Sequence, residues 1–231
     1  MAYVHVVANQ KGGVGKTTLT VNLAAVTADV LGGTAQNSPV LVVSTDPQAS
    51  TVWWADRVGD ALPFDFTQAH DNPKALGKLK TIEQYRHIFV DTPGSLEQGH
   101  ILQAVLESAD DILVPIEPEP LSFDPTARTI RQVIAPTGLP YRVVINSWDP
   151  RDGRSDLEDT QAFIDKQGWP RANVPIRRYK VHTRASSEGT VVTQYAKNRV
   201  ALEAREDFYR LALELNLGSA GGNPVNTPGG H

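Results

Sequence analysis

Two rhythms of apolar residues run along the chain. The runs Tyr3 to Ala8, Val40 to Val43, Phe64 to Phe66, His87 to Val90, Ile112 to Val114 and Val143 to Ile145 are too short for helices and predict buried strands. Between them lie segments with helical spacing. Thr17 to Leu31 carries Leu19, Leu23, Val26 and Val30 on one side and stops at Gly32-Gly33. Glu97 to Ser108 reads as a helix, as does Thr126 to Ala135 after Pro125, the stretch Pro115 to Pro120 being a proline-rich connection. Ser155-Asp156-Leu157-Glu158 is a capping-box pattern opening a helix that Gly168 ends, and Val200 to Leu215 repeats apolar and charged positions at helical spacing. Val174-Pro175-Ile176 closes the strand series, and Trp53 and Trp54 fall in a short helix where adjacent positions cannot share a face, leaving one for the core and one for a partner surface.

Parallel strands need crossover connections, so alternating strands and helices predict an α/β fold: a doubly wound, mostly parallel sheet with helices on both faces. Residues 1–217 are expected to form one domain. The segment 218–231, rich in Gly, Asn and Pro, is expected to be disordered.

Composition changes this picture only by exclusion. The 231 residues hold no cysteine, which rules out disulfides and cysteine-held iron–sulfur clusters. No apolar stretch approaches the ~20 residues of a membrane span, and the first strand begins too soon for a signal peptide, so a cytoplasmic protein is expected. The net charge of −4 is modest, yet Arg171 to Arg210 holds nine Lys/Arg against four Asp/Glu. Arg177, Arg178, Lys180, Arg184, Lys197 and Arg199 form either a surface for phosphate contacts without sequence readout or a merely solvated basic face.

The candidate chemistry lies in Asn9 to Thr18, NQKGGVGKTT, between the first strand and the first helix. Strand, glycine loop and helix is the context of a phosphate-binding loop. Gly12, Gly13 and Gly15 free the backbone around Val14 to turn its N–H groups toward an anion, next to the positive end of the helix dipole at Thr17 and Thr18. Lys16 then reaches the β and γ phosphates, and the Thr17 hydroxyl sits on Mg²⁺. A dinucleotide fingerprint fails on counting, because Thr18 stands where its third glycine belongs. Asp46, after the strand at Val40, lies where open α/β sheets put their ligands, and is either a site carboxylate or a helix cap. Asp91 ends the strand at His87 and occupies the place of the carboxylate that holds the Mg²⁺ shell.

The loop KGGVGKT, with Lys11 as a second lysine, resembles the deviant Walker A loop of the ParA/MinD-type ATPases. The resemblance extends through Thr45-Asp46-Pro47-Gln48 and Phe89-Val90-Asp91-Thr92-Pro93 toward the C-terminus. It implies that ATP and Mg²⁺ are the cofactors and that Lys11 reaches across a homodimer to the partner's nucleotide. It further implies that Asp46 helps place the attacking water, that Asn146 contacts the adenine, and that Pro175 lies beside the nucleobase. An Asn that simply turns the chain after a strand is the other reading of Asn146. Two departures stand out: Ser44 where many members carry an acid, and Gly94 where a second proline is commoner.

By this resemblance the chain is expected to be a DNA partition ATPase. It dimerises on ATP, binds DNA nonspecifically at the nucleoid, and is released by hydrolysis that a centromere-binding adaptor protein stimulates. Sister members position other cargo with the same switch; a metabolic P-loop kinase or ATP-dependent ligase is the reading from another class. No amphipathic, basic segment follows the last helix, so no membrane partner is expected.

Overall fold

A computed structural model of the chain describes residues 1–46, 61–94 and 99–218. Pro47 and Gln48, the Trp53-Trp54 pair, the predicted helix start at Glu97 and the tail from residue 219 lie outside the described residues. Six parallel strands form one sheet among them, in the order β3-β2-β4-β1-β5-β6. They are β1 (Tyr3–Val7), β2 (Val40–Ser44), β3 (Asp65–Gln68), β4 (His87–Asp91), β5 (Asp111–Ile116) and β6 (Tyr141–Ile145). β1, β2 and β4 have almost no exposed side chain because helices cover both faces of the sheet.

One face packs against α1 (Lys16–Val30) and α7 (Arg199–Glu214), through Val7, Val42, Phe89, Leu113 and Val144. The other carries α2 (Pro73–Leu76), α3 (Gly99–Glu107), α4 (Pro120–Thr129) and α5 (Ser155–Lys166), against Val6, Ile88, Ile112 and Ile145. The register sets Val7 and Ser44 opposite Asp91, so β1, β2 and β4 end level and discharge their loops at one edge.

Four expectations are corrected. α1 is not a one-sided amphipathic helix: Leu19 to Ala28 are buried all round, while Val30 is exposed. The helix is enclosed between the sheet, α7 and the turn Val192–Gln194, and its buried Asn22 side chain accepts the Val192 N–H at 2.8 Å. The helix expected from Thr126 begins at Pro120, the first helical position, and carries Pro125 inside; a π turn, Ile130–Ile134, follows. The Ser155 capping box is not made: Arg154 is the N-cap and Ser155 already helical. Val174-Pro175-Ile176 is not a strand, since Pro175 has no N–H to donate and the Asn173 and Val174 N–H groups turn to the Glu214 carboxylate of α7. Only isolated bridges, Val143 with Arg171 and Trp148 with Arg177, tie this segment to the sheet.

Candidate nucleotide-binding site

The loop between β1 and α1 is held from both sides by buried amides. On one side the Asn9 amide donates to the Pro115 carbonyl at 2.8 Å and to Thr126 Oγ1 at 2.9 Å, while its oxygen accepts the Lys11 N–H at 2.9 Å. Thr129, next to the π turn, accepts the Gln10 N–H. On the other side Asn146, buried at the end of β6, donates to the Val14 carbonyl at 2.8 Å. Gly13 and Gly15 take φ of 82° and 78°, a region open to glycine at little cost. A β-carbon on Gly15 would also collide with the Asn146 amide, so position 15 is closed to side chains twice over.

Gly12 and Gly13 are exposed, leaving this backbone accessible, and α1 begins at Lys16 directly behind them. Lys16 is buried and donates only weakly, at 3.2 Å, to the Lys11 carbonyl. Burial lowers its pKa against the opposing pull of Asp91 and Asp46. Two carboxylates from the ends of β4 and β2 thus converge on a desolvated cation. Thr17 Oγ1 donates to Asp91 Oδ2 at 2.7 Å, so hydroxyl and carboxylate already touch where Mg²⁺ would be held. No group of three or more His, Cys, Asp or Glu side chains forms a metal cluster among the described residues.

Lys11 lies apart from this convergence. Its ammonium donates to Ser122 Oγ at 2.9 Å and Glu117 Oε2 at 3.4 Å within its own chain. Pro175 is half-buried on the segment that carries Ile176, whose N–H donates to Ile145 O and whose carbonyl accepts from Trp148, near the Asn146 end of the site. Gly94 approaches closely: a β-carbon there would stand 3.2 Å from Gly12 Cα and 3.3 Å from Lys16 Nζ. A cavity of about 610 Å³ opens beside the loop at Gln10, lined by Leu102, Leu106, Val133 and Leu139, but no cation of the loop faces it.

Of the six basic positions, Arg178, Lys180, Arg184, Lys197 and Arg199 are exposed. Lys180 and Arg184 lie one turn apart on α6 (Lys180–Glu188), a helix the apolar pattern does not reveal. Arg177 does not belong to that surface. Its guanidinium is committed to Asp207 of α7, at 2.9 Å from Nε and 2.7 Å from Nη2, and to the Glu203 carbonyl at 3.1 Å. Asn9, Thr126, Thr129, Glu117 and Ser122 are the loop's neighbours that motif reading passes over. A polar residue at a strand end, as Asn9 is, was the available signal.

A parallel sheet whose central strand feeds a glycine loop, a lysine and a hydroxyl at a helix start, with strand-end carboxylates alongside, defines a P-loop nucleotide-binding domain. The family model described as the CobQ/CobB/MinD/ParA nucleotide binding domain matches residues 5–192, and the chain belongs to that family. It is a ParA/MinD-type ATPase, and ATP and Mg²⁺ are the cofactors consistent with that membership. The chain is 38% identical over 217 residues to the maintenance of carboxysome distribution protein A of Gloeobacter kilaueensis, covering 93% of this chain and 95% of that protein. It is 30% identical over 210 residues to the protein of the same name from Halothiobacillus neapolitanus, covering 87% and 92%. Among solved structures, the MinD cell division protein of Aquifex aeolicus superposes with a TM-score of 0.71 at 20% identity, covering 92% and 97%. No helix of the described residues is long and apolar enough to cross a membrane.

Proposed function

We propose that this chain is an ATP-driven positioning ATPase that distributes carboxysomes over DNA. The observation that carries the reading is the 38% identity, across 93% of the chain, to a carboxysome distribution protein. It favours cargo positioning over the DNA partition expected from the resemblance alone, and an adaptor on the cargo over one bound at a centromere.

The loop geometry supports the chemistry. The N–H groups of Gly12 to Thr17 receive the phosphates, and Lys16 exchanges its weak bond to the Lys11 carbonyl for a charge-assisted one. Thr17 and Asp91 would hold Mg²⁺, which would supply neutralisation of the charge on the phosphoryl group. Asp46 orients the attacking water, and Lys11 leaves Glu117 and Ser122 to serve the nucleotide of a second copy. Asn146 and Pro175 line the nucleobase end. Arg178, Lys180, Arg184, Lys197 and Arg199 supply sequence-independent phosphate contacts, doubled when two copies close on one duplex.

Deleting the gene in its own cell tests the reading. Carboxysomes should lose their even spacing while resident plasmids are retained. Plasmid loss with undisturbed carboxysomes would return the weight to partition.

A further inference from the structure

α6 carries Lys180 and Arg184, yet little holds it. Ala185 is its one fully buried residue; His182 is largely enclosed, its Nδ1 3.0 Å from the Tyr195 hydroxyl and its ring 5.5 Å from that of Phe208 on α7, and Val181 packs at the margin of the core. The residues that lead into it are tied far more firmly. Arg177 meets Asp207 through its backbone N–H at 3.1 Å as well as through Nε and Nη2, so one buried carboxylate takes three donors from a single residue. Asp207 is 4% exposed and sits mid-way along α7. The guanidinium stacks 5.3 Å from the Tyr179 ring, and the Tyr179 hydroxyl donates to Glu203, the residue that pairs with Arg199. Tyr179 is the N-cap of α6, and Arg178 N–H is spent on the Trp148 carbonyl.

We infer that the Arg177–Asp207 pair is a positioning strap: it fixes the start of α6 to α7 and so holds Arg178, Lys180 and Arg184 in register with Lys197 and Arg199. Arg177 therefore acts on DNA binding without touching a phosphate. The two sets of cations lie on, or within two residues ahead of, different helices, and only a fixed angle between the helices lets both meet one duplex. A bidentate guanidinium with an added backbone donor sets an angle in a way that a single contact does not. The DNA arm of this inference rests on the nonspecific DNA binding proposed above; the strap itself does not.

Asp207→Asn separates the two roles of Arg177 by sign. If Arg177 were a phosphate ligand held back by its partner, weakening the pair would tighten DNA binding and steepen the log–log salt slope by about 0.9. As a strap it should do the opposite: with ATP, affinity for an arbitrary duplex falls about tenfold and the slope becomes shallower, while ATP turnover without DNA is unchanged. Hydrogen exchange reads the strap without DNA. Amides of 180–188 should exchange at least about tenfold faster in the variant, and those of the central strands at the wild-type rate. Arg177→Lys, which keeps the charge but not the fork, should give an intermediate effect and serves if Asp207→Asn does not fold. Unchanged exchange in 180–188, or DNA binding equal to or tighter than wild type, would overturn the strap. Faster exchange in a protein that never binds DNA would uphold the strap and defeat the DNA reading instead.

Discussion

Acid should loosen this protein at two identified points. His87 on β4 and His182 on α6 are held neutral by burial, which lowers their pKa values to about 3 and about 4 from 6.5. His87 is also opposed by His5 and Arg86, with Asp111 pulling the other way. His5 bridges the cluster, 2.9 Å from Asp111 Oδ1 and 3.0 Å from His87 Nδ1, so protonating His87 breaks the sharing of one proton between the two rings across the β1–β4 joint. The unfolded chain takes up these protons near pH 6.5 and the folded chain does not, so stability is intact above that pH and falls below it, toward pH 4 for His182 and pH 3 for His87. One unit is worth about 1.4 kcal/mol, so moving from pH 7 to 5 costs roughly 2 kcal/mol per histidine and roughly 4 for both, against a typical total of about 5–15. Most carboxylates titrate lower, so the window above pH 5 isolates the histidines. Urea unfolding at about pH 7 and about pH 5 measures the loss, and His182→Phe, which fills the cage of Tyr179, Tyr195 and Phe208, should remove about half of it. Equal stability at the two pH values, or an undiminished loss in His182→Phe, would refute the assignment.

Three further predictions concern turnover. Lys16→Ala should abolish ATP binding or hydrolysis, measured by phosphate release, because no other buried cation of the loop faces Asp46 and Asp91; it should also relieve the cost of burying that charge, so the nucleotide-free variant should unfold at no lower urea concentration than wild type. Lys11→Ala should bind ATP and fail to hydrolyse it, and mixing it with Lys16→Ala should restore partial activity if the lysine serves the second copy, and none if it serves its own chain. Asp46→Ala should accumulate as an ATP-bound dimer in size-exclusion chromatography, and a variant that stays monomeric with ATP would make Asp46 structural.

How legible the fold was follows from which force shaped each element. Strands buried on both faces must be nearly all apolar, and β1, β2, β4 and β6 were found within a residue or two. β5 runs on through Pro115, where the proline-rich stretch predicts its end. β1 stops pairing at Val7 opposite Leu113, so the N–H that Pro115 lacks has no strand waiting for it. α4 begins before the residue its sequence predicts for a related reason: Pro125 removes a bond to the carbonyl of Leu121, and Leu121 is 81% exposed, where water can replace it. α6 had no apolar period to find, because an ion pair and a histidine hold it rather than a hydrophobic stripe. At the site, loop and carboxylates were legible since phosphate chemistry restricts the residue types. Arg177 reads as a surface cation in the sequence because charge alone does not say whether a partner lies inside the fold, as Asp207 does.

The loop's supports bear on how binding energy is used. Asn9 and Asn146 hold its backbone before any ligand arrives, and both positive-φ turns fall on glycine, so little conformational entropy remains to be lost on binding. The Thr17–Asp91 contact likewise holds together in advance the two side chains proposed to hold Mg²⁺. The movements the proposed function requires are small: Lys16 gives up a 3.2 Å contact, and Lys11 gives up Ser122 and Glu117. The first is local to the loop, and a desolvated ammonium gains by it wherever phosphate is available. The second breaks bonds within the chain and is repaid only where another anion meets Lys11. On this account affinity for nucleotide is set by one copy, whereas Lys11 comes free only when a second copy is present, so turnover should rise with protein concentration while nucleotide affinity does not.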